Sequence, residues 1–169
     1  MSWFSKIRNA VRTTDLREVH HLIKLREKSP KIFKVFFSTI IRLYGLDMSP
    51  KVKVGKGVVF AHNCVGSVIH GNTILEDGVI IFQNVTLGRK DISAFVGEHP
   101  HVAFLIKKNA ILCVGAIILC PDNQTLVVGE HSVVGANSLL THSIGDNEMW
   151  VGNPARLVKR WNGQEWVKT

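Results

Sequence analysis

The sequence predicts a mainly β fold: a parallel β-helix built from six-residue units, with a short helical segment ahead of it. Two observations carry this. From about Val52 onward, aliphatic or aromatic residues recur every six positions. They run as Val54 and Phe60, then Ile69, Leu75, Ile81 and Leu87, then Ile106, Leu112 and Ile118, then Val128, Val134 and Leu140. A small or branched residue follows four places later in most units: Val58, Cys64, Thr73, Val79, Val85, Ala110, Ala116, Ser132 and Ser138. Six residues make one short strand and one tight turn, and three units close a triangular coil with the larger residue inside. The residue four later must be small enough to fit beside it near a corner. Coils then stack about 4.8 Å apart, with backbone hydrogen bonds running between them. A sandwich would show two-residue alternation and turn signals every 8–12 residues or so instead.

Breaks in the period mark where the coil departs from regularity. Phe60 and Ile69 are nine apart rather than six, so about three residues near Gly66 to Val68 are expected to bulge. Between Leu87 and Ile106 a loop near residues 89–104 leaves the solenoid, carrying Gly97-Glu98-His99-Pro100-His101. Long excursions from a regular solenoid are usually functional. Pro121 to Thr125 widens a further corner, and Val151-Gly-Asn-Pro-Ala-Arg156 ends the repeat. Glycines such as Gly55, Gly88, Gly115 and Gly135 are expected at corners that other residues would strain.

The first segment follows another period. Val19, Leu22, Ile23 and Leu25 lie among His20, His21, Lys24 and Arg26 at helical spacing. Pro30 can open a second helix with Ile32, Phe33, Phe36, Phe37, Ile40 and Ile41 as its stripe, and Gly45 can close it. The expected organisation is a helical segment over 1–45, a β-helix over 46–145 and a tail over 146–169.

Composition narrows the function classes. The chain has 169 residues, 46% of them apolar, enough for one core and incompatible with disorder. Lys and Arg number 21 against 13 acids, a net +8 that fits either an anionic partner or a solvated basic surface. Nucleic-acid binding rests on that charge alone, without interleaved aromatics or a motif. Cys64, Cys113 and Cys120 form no CxxC pair, which fits a reducing cytoplasm rather than a disulfide framework. No metal is expected, because no histidines show ligand spacing with a third ligand nearby. The apolar run Ile32 to Tyr44 is broken by Lys34 and Arg42 and is too short to span a bilayer. Packing on the protein is its expected use, with a basic helix lying on the inner face of a membrane as the alternative.

Four motifs in order then resemble bacterial serine acetyltransferases and the related acetyltransferases of polysaccharide and capsule biosynthesis. They are Val54-Gly-Lys-Gly-Val-Val-Phe-Ala-His62, Ile81-Phe-Gln-Asn-Val-Thr-Leu-Gly88, Glu98-His99-Pro100 and Gly152-Asn-Pro-Ala-Arg156. The resemblance covers roughly residues 45–160. It implies a left-handed parallel β-helix, a homotrimer, acetyl-CoA as donor and sites between neighbouring subunits. It also implies that His62 is the catalytic base, with Asp47, fifteen residues earlier, as its partner. A hydroxyl is a weak nucleophile, so a neutral imidazole must take its proton as the oxygen attacks the thioester. The carboxylate would fix the imidazole tautomer and steady the imidazolium. His99 matches the family's second active-site histidine; His70 and His101 have weaker claims. By the same resemblance the pantetheine arm lies along Val114-Gly115-Ala116 and Gly135-Ala136-Asn137, and the nucleotide phosphates near Arg156, Lys159 and Arg160.

Two departures bear on the acceptor. Ala61 precedes His62 where the serine enzymes carry an aspartate, and Glu98 precedes His99 where they usually carry arginine. The loss of both amino-acid contacts leads to the expectation of a sugar hydroxyl as acceptor, within polysaccharide or capsule biosynthesis. Serine O-acetylation is the alternative, and a non-catalytic binding or scaffold β-helix is the alternative of another class.

Overall fold

A computed structural model of the chain describes residues 18–91 and 101–169. Helix α1 (Glu18–Lys28) and helix α2 (Lys31–Leu43) lead into a three-sided parallel β-helix. The first sheet stacks β1 (Leu46–Met48), β4 (Ser67–Ile69), β7 (Thr86–Arg89), β10 (Ile117–Cys120) and β13 (Leu139–Leu140). The second stacks β2 (Lys53–Val54), β5 (Thr73–Leu75), β8 (Val102–Ile106) and β11 (Gln124–Val128). The third stacks β3 (Val59–Phe60), β6 (Ile80–Ile81), β9 (Ile111–Leu112), β12 (Val133–Val134) and β14 (Glu148–Val151). An antiparallel ribbon, β15 (Arg156–Trp161) and β16 (Trp166–Lys168), continues that last sheet.

The six-residue period becomes three internal columns. Met48, Ile69, Leu87, Ile118 and Leu140 stack in the first sheet. Val54, Leu75, Ile106 and Val128 stack in the second, and Phe60, Ile81, Leu112, Val134 and Trp150 in the third. The small residues four places later are buried beside them, from Cys64 to Ser138. Neighbours in a strand point to opposite faces. Ile80, Ile111 and Val133 therefore form a second apolar cluster outside the third sheet, with Met149 and Trp166 packed against it.

The breaks fall differently from the expectation. Val68 is regular strand, registered between Asp47 and Thr86, so the extra residues lie earlier, in Ala61 to Gly66. The long loop is narrower than 89–104, because Val102 and Phe104 alternate inward in β8 and are each 1% exposed. Parallel stacking runs past Ile144 to Val151, where Trp150 closes the third column.

The corners also correct the glycine expectation. Among the four named, Gly115 alone has a positive φ, at 68°; asparagines Asn84, Asn109, Asn123, Asn137 and Asn147 take the left-handed position elsewhere. Asparagine tolerates that region because its short amide bonds locally. Gly55 serves close approach instead: a Cβ there would lie 2.6 Å from the Glu76 carbonyl carbon.

Candidate active site

His62 sits on a 3₁₀ turn, Ala61–Cys64, between the third and first sheets of the first coil. Its backbone is left-handed (φ 53°), as are Asn63 (54°) and Cys64 (48°). Each non-glycine residue held there costs about 1–2 kcal/mol, somewhat less for asparagine, so surrounding contacts must hold the turn. They are visible. The Cys64 thiol is buried and donates to the Ile81 carbonyl at 3.2 Å. The Gly66 N–H donates to the Gly45 carbonyl at 2.8 Å, and the Val65 carbonyl accepts from Asn84 N–H at 2.9 Å. The turn is thereby tied to β1 below and to the second coil above, and the His62 side chain is exposed. Burial pushes the Cys64 thiol far above its usual range, leaving it as an anchor rather than a nucleophile.

Register places the predicted residues on one edge. His62 follows Phe60 by two residues, as Gln83 follows Ile81, Val114 follows Leu112, Ala136 follows Val134 and Gly152 follows Trp150. These five anchors are registered in one sheet, so the residues form a column spanning about 19 Å, four rungs of about 4.8 Å. Gly115 and Asn137 stand beside it, with Gly115 N–H bonded to the Gln83 carbonyl and Asn137 N–H to the Val114 carbonyl. Gly135 needs its lack of side chain, since a Cβ would meet Val151 Cγ1 at 2.5 Å. Ala116 is buried and packs in the core behind the edge. Sequence reasoning missed Gln83 and Asn63, whose amide oxygens Oε1 and Oδ1 are buried without a hydrogen-bond partner. The repeat phase of Gln83, equal to that of His62, was the signal for it. The Phe82 ring lies 6.4 Å from the His62 imidazole, centroid to centroid.

Asp47 is placed differently from the expected dyad. Between the buried Leu46 and Met48 it points outward, and its Oδ1 accepts from Arg42 Nε at 3.1 Å and Nη2 at 2.8 Å. No bond joins it to His62 within this chain. Both Arg42 bonds fall on one oxygen, and the strand bearing Asp47 lies directly against the end of the His62 turn.

The remaining candidates divide. His99 and Glu98 lie outside the described residues. His70 and His101 occupy another edge, between the first and second sheets, where the loop leaves. There Arg89 binds Asp122 through Nη2 at 2.9 and 3.1 Å, and Asn72 N–H donates to His70 Nδ1 at 3.2 Å. Burial, then the nearby charges of Arg89 and His101, lower the His70 pKa. The three C-terminal cations do not act as one group. Arg156 is exposed just beyond the end of the His62 column, whereas Arg160 is engaged by Glu148 Oε1 at 3.1 Å. Lys159, adjacent to Arg160 on one strand, points to the opposite face. Among the described residues no group of three metal-ligating side chains occurs.

This geometry matches solved proteins. A serine acetyltransferase solved in complex with CoA superposes with a TM-score of 0.60 at 26% identity, covering 84% of this chain and 53% of that one. The fold is the left-handed parallel β-helix. A Schizosaccharomyces pombe protein provisionally named serine acetyltransferase is 42% identical over 117 residues, 68% of this chain and 39% of that one. The serine acetyltransferase of Buchnera aphidicola subsp. Schizaphis graminum is 32% identical over 123 residues, 73% of this chain and 44% of its own length. No family model matches the chain. The chain thus spans less than half the length of these two relatives, and the similarity lies with the left-handed β-helix of serine acetyltransferases. These relatives overturn the expected sugar acceptor and polysaccharide role. The departures at Ala61 and Glu98 do not by themselves define another substrate class.

Proposed function

We propose that this chain is a cytoplasmic serine O-acetyltransferase that takes its acetyl group from acetyl-CoA and works as a homotrimer. The observation that carries the reading is the single edge on which His62 heads a column of small residues, within a fold shared with a CoA-bound serine acetyltransferase. An exposed imidazole at one end meets the requirement for a base. The backbone beyond it, from Val114 to Ala136, can accept an extended pantetheine arm, and Arg156 lies where that line ends.

In this reading His62 takes the proton of the serine hydroxyl as its oxygen attacks the acetyl carbonyl. The imidazolium then returns the proton to the departing thiolate, and O-acetylserine and CoA leave. Arg42 pins the Asp47 carboxylate by Oδ1, and Oδ2 is the oxygen that orients the imidazole when a shift of the His62 turn brings the two together. With Ala61 in place of an acid, the serine ammonium needs neutral acceptors. Asn63 and Gln83 have amide oxygens with no other partner, and a rotation of either side chain presents one to the ammonium. His99, brought by a neighbouring subunit, would complete the acceptor site.

The test is thiol release from acetyl-CoA with and without L-serine, with the product identified by mass spectrometry. Serine-dependent release supports the reading, and its absence overturns it. Light scattering at micromolar concentration should give three times the chain mass; a stable monomer would rule out a site shared between subunits.

A further inference from the structure

Helix α2 leaves most of its apolar stripe outside the fold. Ile41 alone is fully buried in it, while Ile32 is 79% exposed, Phe33 54%, Val35 67%, Phe36 58% and Leu43 82%. At 100° per residue Ile32, Phe36 and Leu43 fall within about 40° of one another and about 160° from Ile41, so the face points away from the β-helix. An exposed apolar patch of this kind marks a contact surface. The charge beside it selects the partner. Lys31 borders the face, Lys28 ends the helix just before it, and no acid occurs between Glu27 and Asp47. Two copies meeting here would set these cations against each other, whereas an anionic surface would pair with them. The helix has 13 residues, and no helix among the described residues is long and apolar enough to cross a membrane. An apolar face with lysines at its start on a short helix is the pattern of a helix lying in the plane of a bilayer.

We propose that α2 docks the protein onto an anionic lipid bilayer, with Ile32, Phe36 and Leu43 entering the acyl boundary and Lys28 and Lys31 meeting headgroups. The inference is independent of the acceptor. Vesicle flotation of the full chain tests it, using phosphatidylcholine alone or with roughly a third phosphatidylglycerol. The wild type should float with the anionic vesicles, lose binding in high salt and ignore the neutral ones. The pair Ile32→Ser/Phe36→Ser should weaken binding at least about tenfold, and Lys28→Glu/Lys31→Glu likewise. All four positions are exposed, so unfolding temperature and light-scattering mass should stay at wild-type values. Wild-type failure to float, binding that survives either pair, or a changed mass in either pair overturns the proposal. The last outcome would make the face an interface between copies.

Discussion

The corner between the third and first sheets is built several times, and the first differs from those above it. In the second, third and fourth coils a single residue turns the chain left-handed: Asn84 at φ 59°, Gly115 at 68° and Asn137 at 52°. The first coil uses His62, Asn63 and Cys64 in succession and then Gly66, in a corner three residues longer. The regular corners keep their side chains close to the edge and make a smooth surface. The irregular one lifts an imidazole out of the same line. Repetition decides where the edge runs, and the break in repetition decides which side chain can do chemistry there.

The largest way to break this contrast is His62→Ala. Loss of the base should lower turnover about 10²–10⁴-fold and leave acetyl-CoA affinity nearly unchanged, as steady-state kinetics and calorimetry would show. Near-wild-type turnover would reduce the strained turn to a structural curiosity. Asp47→Asn should cost less, and the double variant with His62→Ala should be little worse than His62→Ala alone, since the two act as a unit. Gln83→Ala, from a regular corner of the same column, should act on the acceptor instead: KM for serine rises roughly tenfold while turnover changes little.

Stability sharpens the same comparison. Gly55→Ala should destabilise by about 1–3 kcal/mol in chemical denaturation, because its Cβ meets backbone that cannot yield. Asn84→Ala should cost about 1 kcal/mol, the penalty of an ordinary residue in a left-handed corner. The smallest effect concerns His70, on the other edge. Its folded pKa lies below its unfolded value, so its neutral form's contribution is fully present above the unfolded pKa of about 6.5. That contribution is lost as pH falls through the lower, folded pKa. His70→Gln should flatten the fall in unfolding temperature below about pH 6.5; an unchanged slope would assign the dependence to other groups.

Much of the fold was legible because a six-residue period has one physical solution. Every residue from Phe60 to Val134 assigned inward on the third sheet is in its column. What escaped were features set by two distant segments at once. The three extra residues could not be located by spacing, because Val68 looks like loop sequence until β1 and β7 flank it. Arg42 reads as a helix-end cation, and its hold on Asp47 depends on where α2 meets β1. The stripe of α2 was readable as apolar, but its expected burial was not, since periodicity reports a face and not what covers it. At the site, His62 and the small turns shared a detectable phase, while the acceptor depended on contacts that a motif comparison misassigned.

The antiparallel ribbon at the C-terminal end has a consequence for solubility. A parallel coil ends in a strand whose unpaired N–H and C=O groups can template another coil, and coils of the same sequence stack without limit in fibrils. Here β15 turns back antiparallel to β14 and β16 turns again on β15, so the edge that a further coil would pair with on the third sheet is taken up by the chain's own ribbon. At the opposite end, the buried Arg26 guanidinium donates to the Met48 carbonyl at 3.2 Å and occupies a group that a second molecule would need. Each end of the solenoid thus has part of its pairing edge occupied by the chain itself, which works against end-to-end stacking of a chain made largely of parallel strands.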